Sequence, residues 1–392
     1  MKNTEKLKIF KDAVKKAKEG ELYGFDEWLR DNKVNPKAFN SKYIFHYMRA
    51  YPNCMIGNEE IIEKIGEIIG HFLKDMRKTY HIAIIGAKGT GKTLLLTTIE
   101  NFTNSIESNL GSRINVVDDE DFLRRVVKTE PDIVSTSSAR RGAIKFIDNC
   151  EKVDEIDIIL KNIVKLRDNG VYITTWTPES WLEFNEKNKD LLPITAKFIL
   201  TPIENDDIFA NFLNSICDAI MLVERVDNII IEGRKNRCLG FIKYNKMFDY
   251  YDFEKNKFHE YSDGIPQLVI DLFFASIEQV FVAEKEKMDA DIIDSVAKRM
   301  DLDGIKKKME NISTQHLQIL SKLLCEKRKE GTRPKELVDE FNLDKSTIAY
   351  HLKELKNTKK LIELERIGKS SFYKVKKNVI PFIQLKILEE WF

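Results

Sequence analysis

The sequence lacks paired cysteines, long unbroken apolar runs and any sizeable net charge. Its five cysteines, Cys54, Cys150, Cys217, Cys238 and Cys325, lie far apart, and none forms a C-x-x-C pair. That spacing argues against a zinc site and against a secreted disulfide framework. The most apolar stretch, QLVIDLFFASIEQVFVA (267–283), is interrupted by Asp271 and Glu278. It is too short to span a bilayer and reads as a buried helix. The opening MKNTEKLKIFKDAVKKAKEG is a charged helix former without an apolar centre, so no signal peptide is expected. A cytoplasmic protein with no membrane partner is the resulting expectation. Lysine and arginine total 64 against 63 aspartates and glutamates, a net charge of +1. Any affinity for nucleic acid must therefore come from a local basic surface.

What is present is a globular composition, with 43% hydrophobic and 32% charged residues in 392. That length suits about two or three domains, each with its own core. Residues 1–53 read as a helical extension ending at a YPN turn. IGNEEIIEKIGEIIGHFLK (56–74) carries apolar residues at helical spacing: Ile61, Ile62, Ile65, Ile68, Ile69 and Phe72. Strand-like runs follow at 81–86, 114–117, 143–147, 171–175 and 197–201, with helical patterns between them. Strands alternating with helices predict a parallel sheet covered on both faces. This core spans 54–206. Residues 207–300 follow as a lid with an inserted β segment at 219–244. DLDGIKKKMEN lies in an expected linker at 301–312.

The sharpest motif is GAKGTGKT, which comprises Gly86, Ala87, Lys88, Gly89, Thr90, Gly91, Lys92 and Thr93. It fits G-x-x-x-x-G-K-[ST] between an apolar strand and a helix, the context the motif requires. The glycines let backbone amides converge on phosphate oxygens, and the helix N-terminus adds its positive dipole end. Lys92 is expected to reach the β- and γ-phosphates of ATP. The Thr93 hydroxyl is expected to ligate Mg2+.

AIKFID places Asp148 at the tip of a strand, where a carboxylate can hold the magnesium hydration shell. This requires its strand to lie beside the phosphate loop. The next residue, where many such enzymes carry a water-polarising glutamate, is Asn149. Glu151, or the Asp118–Asp119–Glu120 cluster after the INVV strand, remains as the source of a base. Thr174 and Thr175 close the VYITT strand and could orient water, or could simply be strand formers.

In order, MIGNEE (55–60), the GKT loop, INVVDDEDFL, AIKFIDN, VYITTWTP and AKFILTPIENDDIFANFL (196–213) resemble AAA+ ATPases of the initiator clade. That clade contains the archaeal origin-recognition proteins and bacterial DnaA. The resemblance covers roughly residues 55–300. It implies an α/β, AAA+-like P-loop NTPase core with a lid, and MIGNEE packed near the adenine. Three departures bear on hydrolysis. Gly57–Asn58 stands where a Gly-Arg pair is usual. No arginine lies between Arg167 and the end of KFILT, where a finger for a neighbouring subunit would fall. Gln267 lies near the position of an arginine that senses the γ-phosphate. Missing cations of this kind can be worth about 10³ to 10⁵ in rate. RecA-fold ATPases of the circadian-clock type are a second fold resemblance, through the 118–120 cluster and Lys243, with Asn245 replacing an arginine.

Residues 313–378 carry the second strong pattern. A leucine-faced helix is followed by RPKELVDEF, the turn NLDK, STIAYHLKELKNT and two strands around a Gly-Lys tip. Ser346 is read as the cap of the third helix. The segment resembles the winged helix-turn-helix of arsenic-repressor-type and related archaeal regulators. The resemblance implies double-stranded DNA as partner, with Ser346, Thr347, Tyr350 and His351 near base edges. Lys345, Lys353, Arg366 and Lys369 are expected near phosphates. A protein–protein role for the winged helix is the alternative. The apolar tail (379–392) is read as a helix packed on its own winged helix or, as the minority reading, in a dimer.

These readings converge on an ATP-binding, slowly hydrolysing switch protein that grips DNA, with replication initiation the role the resemblance favours. Self-association or contact with other replication proteins would accompany that role. An ATP-sensing transcription regulator is the alternative, and a processive motor fits the softened hydrolytic positions least well.

Overall fold

The computed structural model describes residues 24–32, 34–50, 57–114, 143–152, 156, 169–188, 195–220, 252–326, 328, 330–368 and 370–392. The chain divides into two compact units. One combines residues 55–203 with 301–392, and the other combines 1–54 with 204–300.

In the first unit, helix α1 (Glu59–Lys74) starts beyond Gly57 and Asn58, which both adopt left-handed backbone. Its stripe buries Ile65, Ile69 and Phe72. Strand β1 (Tyr80–Gly86) leads through the phosphate loop into α2 (Lys92–Ile106). Strands β2 (Gly111–Ile114), β3 (Ile144–Ile147) and β4 (Val171–Trp176) follow, then α3 (Pro178–Lys187) and β5 (Ala196–Leu200). All five strands are parallel, in the order β2-β3-β4-β1-β5. This is the α/β P-loop NTPase sheet, AAA+-like in its order, and its central strands β1 and β4 are buried along nearly their whole length, as in a doubly covered parallel sheet. β3 does not lie beside β1, as the simplest placement of Asp148 required. β4 runs between them.

Period-two alternation sorts the side chains onto two faces. Ile82, Ile84, Phe146, Ile173 and neighbours pack with α1 and α2 on one face. Ala83, Ile85, Ile147, Tyr172 and Trp176 pack with Trp181 and Phe184 of α3 on the other.

The C-terminal part of the same unit begins with α4 (Leu302–Glu310), which buries Leu302, Ile305 and Met309. The expected linker is thus a helix, because its apolar residues recur on one face. Helices α5 (Thr314–Cys325), α6 (Pro334–Phe341) and α7 (Lys345–Lys353) and the antiparallel hairpin β6 (Ile362–Ile367) and β7 (Ser370–Val375) follow, an order compatible with the winged helix expected there. Asp344 caps α7, not Ser346. Its Oδ1 accepts the Thr347 N–H at 2.9 Å, and both hydroxyls at 346 and 347 donate to its carboxylate. The tail helix α8 (Ile380–Trp391) packs on α5 and also on α3 and β1 of the sheet body. Its Leu388 and Phe392 join the Trp176 side of the core.

The second unit is helical among its described residues. Helices Phe25–Asp31 and Ser41–Ala50 pack with Asp206–Ile220, Asp252–Ser262, Pro266–Val282 and Ala290–Arg299. The described part of the expected N-terminal extension, residues 24–50, therefore packs within this unit. Phe25, Trp28 and Phe39 stack among Phe274 and Phe281. The apolar stretch at 267–283 is the buried helix expected, and among the described residues no helix is long and apolar enough to cross a membrane. The β segment expected at 219–244, with Lys243 and Asn245, lies outside the described residues apart from its first two positions, which end a helix.

Candidate nucleotide site and its link to the C-terminal helix

The loop after β1 is shaped by local backbone demands. Gly89 and Gly91 have φ of 89° and 97°, a region that favours glycine. Gly86 is required for space, since a Cβ there would lie 2.8 Å from Thr90 Oγ1 and 3.0 Å from the Leu200 carbonyl oxygen. Thr90 donates to the Ala87 carbonyl at 2.9 Å and closes the turn. Lys92 is buried, and its Nζ donates to the carbonyls of Gly86 and Ala87 at 2.7 and 3.0 Å. Burial draws its pKa down. The opposing pull comes first from Glu151, then Glu179, then Asp148. One buried lysine therefore sits in the field of three carboxylates.

Asp148 is held at the end of β3. Its Oδ1 accepts from Thr175 Oγ1 at 2.7 Å and from the Asn149 N–H at 3.0 Å. Arg113 Nη1 stands 4.0 Å from Oδ2 while its Nε pairs with Glu100 at 2.9 Å. Of the two threonines on β4, only Thr175 reaches this side. Thr174 points to the opposite face, wholly buried, with His81 Nε2 at 2.9 Å and Trp176 Nε1 at 2.8 Å. The alternation of a strand permits only one of two adjacent residues on the phosphate side.

Asn149 has a structural reason. Its φ is 53°, a left-handed conformation that asparagine tolerates better than most residues. The chain turns there into a 3₁₀ turn, Cys150–Lys152, with the Lys152 N–H bonded to the Asn149 carbonyl at 2.9 Å. That turn carries Glu151 toward Lys92. Glu151 Oε2 is buried without a hydrogen-bond partner among the described residues. Burial raises its pKa, and Lys92 is the leading influence in the other direction. Asp119 and Glu120 lie outside the described residues, so Glu151 is the placed candidate for a base.

The oxygen donors present, the Thr93 hydroxyl and the Asp148 carboxylate, suit Mg2+, which favours hard oxygen ligands. The amide-rich loop backed by a buried lysine suits a nucleoside triphosphate.

Two site residues carried no motif. Glu179 follows the first-turn proline of α3 and is buried, which raises its pKa. Gln384, from α8, donates through Nε2 to Glu179 Oε1 at 2.8 Å and accepts the Lys88 N–H through Oε1 at 2.5 Å. A single buried amide thus joins the tail helix to a phosphate-loop amide. A cleft of ≈ 940 Å³ runs from Glu151 and Glu179 to Lys322 and Glu336 of α5 and α6, and no residue of the 86–93 loop lines it.

In the C-terminal part, Lys345, Ser346, Lys353 and Arg366 are exposed, and Tyr350 is 63% exposed. The Ser346 and Thr347 hydroxyls are already engaged by Asp344. His351 turns inward, with Nδ1 3.1 Å from His316 Nε2, so it does not join the outward-facing set. Lys369 lies outside the described residues.

No protein-family model matches this sequence. The chain is 25% identical over 240 residues to the tRNA modification GTPase MnmE of Mycoplasma genitalium, a match covering 56% of this chain and 54% of that protein. It thus spans about half the length of that curated relative. Among solved structures it is similar to the Orc1 protein of Aeropyrum pernix in complex with DNA, at 12% identity and a TM-score of 0.41, covering 86% of this chain and 93% of that one. It is also similar to Cdc6p of Pyrobaculum aerophilum, at 11% identity and a TM-score of 0.42, covering 91% and 97%. The RuvB Holliday junction branch migration motor of Thermotoga maritima gives 14% identity and a TM-score of 0.40, covering 82% and 93%. Each is a coarse likeness of chain course at low identity.

Proposed function

We propose that this protein is an ATP-switched DNA-binding protein of the AAA+ type, hydrolysing slowly and acting in replication initiation. The observation that carries the switch is Gln384. It holds the Lys88 N–H, a group that a bound phosphate would claim, while belonging to the helix packed against α5 of the winged-helix part. Nucleotide in the loop then competes with Gln384, and the tail helix transmits the outcome to α5.

In this reading Lys92 steadies the β- and γ-phosphates, and Thr93 and Asp148 hold Mg2+. Thr175 fixes the orientation of Asp148. Glu151 accepts a proton from the attacking water. α7 and the β6–β7 wing meet the duplex, with Lys345, Lys353 and Arg366 at phosphates. The initiator role rests on the order of motifs from 55 to 213. An operator-binding regulator would use the same chemistry, and mapping the bound genomic sites separates the two.

The test is DNA affinity by fluorescence anisotropy with ATP, ADP or no nucleotide. Wild-type protein is expected to respond to nucleotide, and Lys92→Ala to bind DNA with one affinity in all three conditions. Equal wild-type affinities in all three would overturn the switch. Sustained turnover of several ATP per second would overturn slow hydrolysis. A response to GTP alone would move the nucleotide assignment to guanine.

A further inference from the structure

The recognition helix α7 and the first helix of the winged-helix part, α5, meet at His316, His351 and Glu354. His316 is buried on α5, and His351 and Glu354 stand three residues apart on one face at the end of α7. One ligand atom from each residue falls within 4.8 Å of the other two. His316 Nε2 lies 3.1 Å from His351 Nδ1 and 3.5 Å from Glu354 Oε2. We propose that these three side chains form a binding site for a late first-row divalent cation, Zn2+ or a similar ion, that clamps α7 to α5.

The distances carry the argument. Zinc–nitrogen and zinc–oxygen bonds of about 2.0–2.2 Å in a tetrahedron separate neighbouring donor atoms by roughly 3.3–3.5 Å. The two observed edges bracket that value with no cation required to pull the side chains together. Nitrogen donors with one carboxylate select zinc, nickel or cobalt over magnesium and calcium, which take oxygen. Three protein ligands leave the fourth position to water.

A purely structural histidine pair fits less well. His316 Nε2 cannot accept a proton from His351 and donate one to Glu354 at once, so one ring proton must serve three converging atoms.

The backbone supplies a second, independent sign. At Glu354 the helix passes into a π turn, Glu354–Thr358. Such turns are rare and often mark functional positions. Here the turn begins at the residue whose carboxylate joins the two imidazoles. His351 and Glu354 are half-buried, so an ion and its water can reach the site.

The test uses the untagged full-length protein, stripped of metal by chelator and dialysed. Titration with Co2+ is expected to give intense visible bands of a tetrahedral site that saturate at one equivalent, and Zn2+ is expected to bleach them. Glu354→Gln and His351→Asn, near-isosteric changes at half-buried positions, should each abolish the bands while circular dichroism shows the native fold. If one variant fails to fold, the other decides. Absence of tetrahedral bands in the wild type would overturn the proposal. So would bands that persist in both variants, since the ion would then sit elsewhere, for instance on cysteine.

Discussion

Truncating Gln384 to alanine separates the two roles its amide plays. The side chain is 2% exposed, donates to the buried Glu179 at 2.8 Å and accepts from the Lys88 N–H at 2.5 Å. A neutral hydrogen bond contributes about 0.5–1.5 kcal/mol net, and one to a charged group about 1.5–3 kcal/mol. Without nucleotide, Gln384→Ala should therefore lose about 2–4 kcal/mol of stability in chemical denaturation. Nucleotide binding should move the opposite way. In the wild type the Lys88 N–H must leave Gln384 before it can meet a phosphate, and the variant has no such bond to break. That removes about 0.5–1.5 kcal/mol of opposition, so ATP should bind roughly 2- to 12-fold more tightly. Calorimetric titration of Mg-ATP into both proteins, at a temperature where both are folded, measures this directly. Unchanged or weaker binding by a folded variant would refute competition between Gln384 and phosphate.

Three further outcomes follow from the same geometry. Glu151→Gln should leave Mg-ATP affinity near wild type and lower single-turnover hydrolysis by about 10²–10⁴, the usual range for a general base; unchanged hydrolysis would return the base to the 118–120 cluster. His81 is buried, with its pKa pushed down to about 4, and donates from Nε2 to Thr174, whose own proton goes to the Ile82 carbonyl at 3.2 Å. The unfolded chain binds this proton first, so the contribution is intact above pH 6.5 and lost as pH falls to about 4, roughly 3 kcal/mol in all. His81→Gln keeps the donor but cannot titrate, and its stability should fall less steeply across that window; parallel curves would remove His81 as the cause. Arg366→Ala should weaken DNA binding and flatten the dependence of log K on log salt by about one. An unaltered slope would take the wing off the duplex.

The phosphate loop was legible because nearly all of its requirements are local, the approach of Leu200 to Gly86 being the exception. Gly89 and Gly91 need positive φ, Gly86 needs space, and a lysine follows at a fixed spacing. Most of the parallel sheet was legible because strands buried on both faces are written as continuous apolar runs, whereas β2, expected at 114–117, runs from Gly111 to Ile114 through Ser112 and Arg113, and residues 115–117 lie outside the described residues. Choosing between Thr174 and Thr175 needed only the phase of β4, which a sequence read without β3 and β1 beside it leaves open. Glu179 and Gln384 could not be found that way. They are 205 residues apart, and each reads as an ordinary polar position until the fold brings them together. His351 was misplaced because helical periodicity alone gives no hint of His316 on another helix or of the π turn that follows. Joining residues 1–54 to 204–300 required aromatic contacts that span most of the chain.

The question raised by Asn149 changes its form in three dimensions. A glutamate at that position would have to adopt left-handed backbone, which disfavours most side chains. Asparagine accepts it, and the turn it allows places Glu151 in the field of Lys92. A carboxylate therefore stands two residues further on, at Glu151. Its burial raises its pKa, and the same lysine also feels Glu179 and Asp148. Three acidic groups around one buried cation resist a fourth negative partner until Mg2+ arrives with it. Glu179 is in turn held by Gln384, so the charge balance around Lys92 and the position of the tail helix are not independent. In the switch proposed above, this coupling through Gln384 is the route by which the occupancy of the phosphate loop would reach the tail helix and α5.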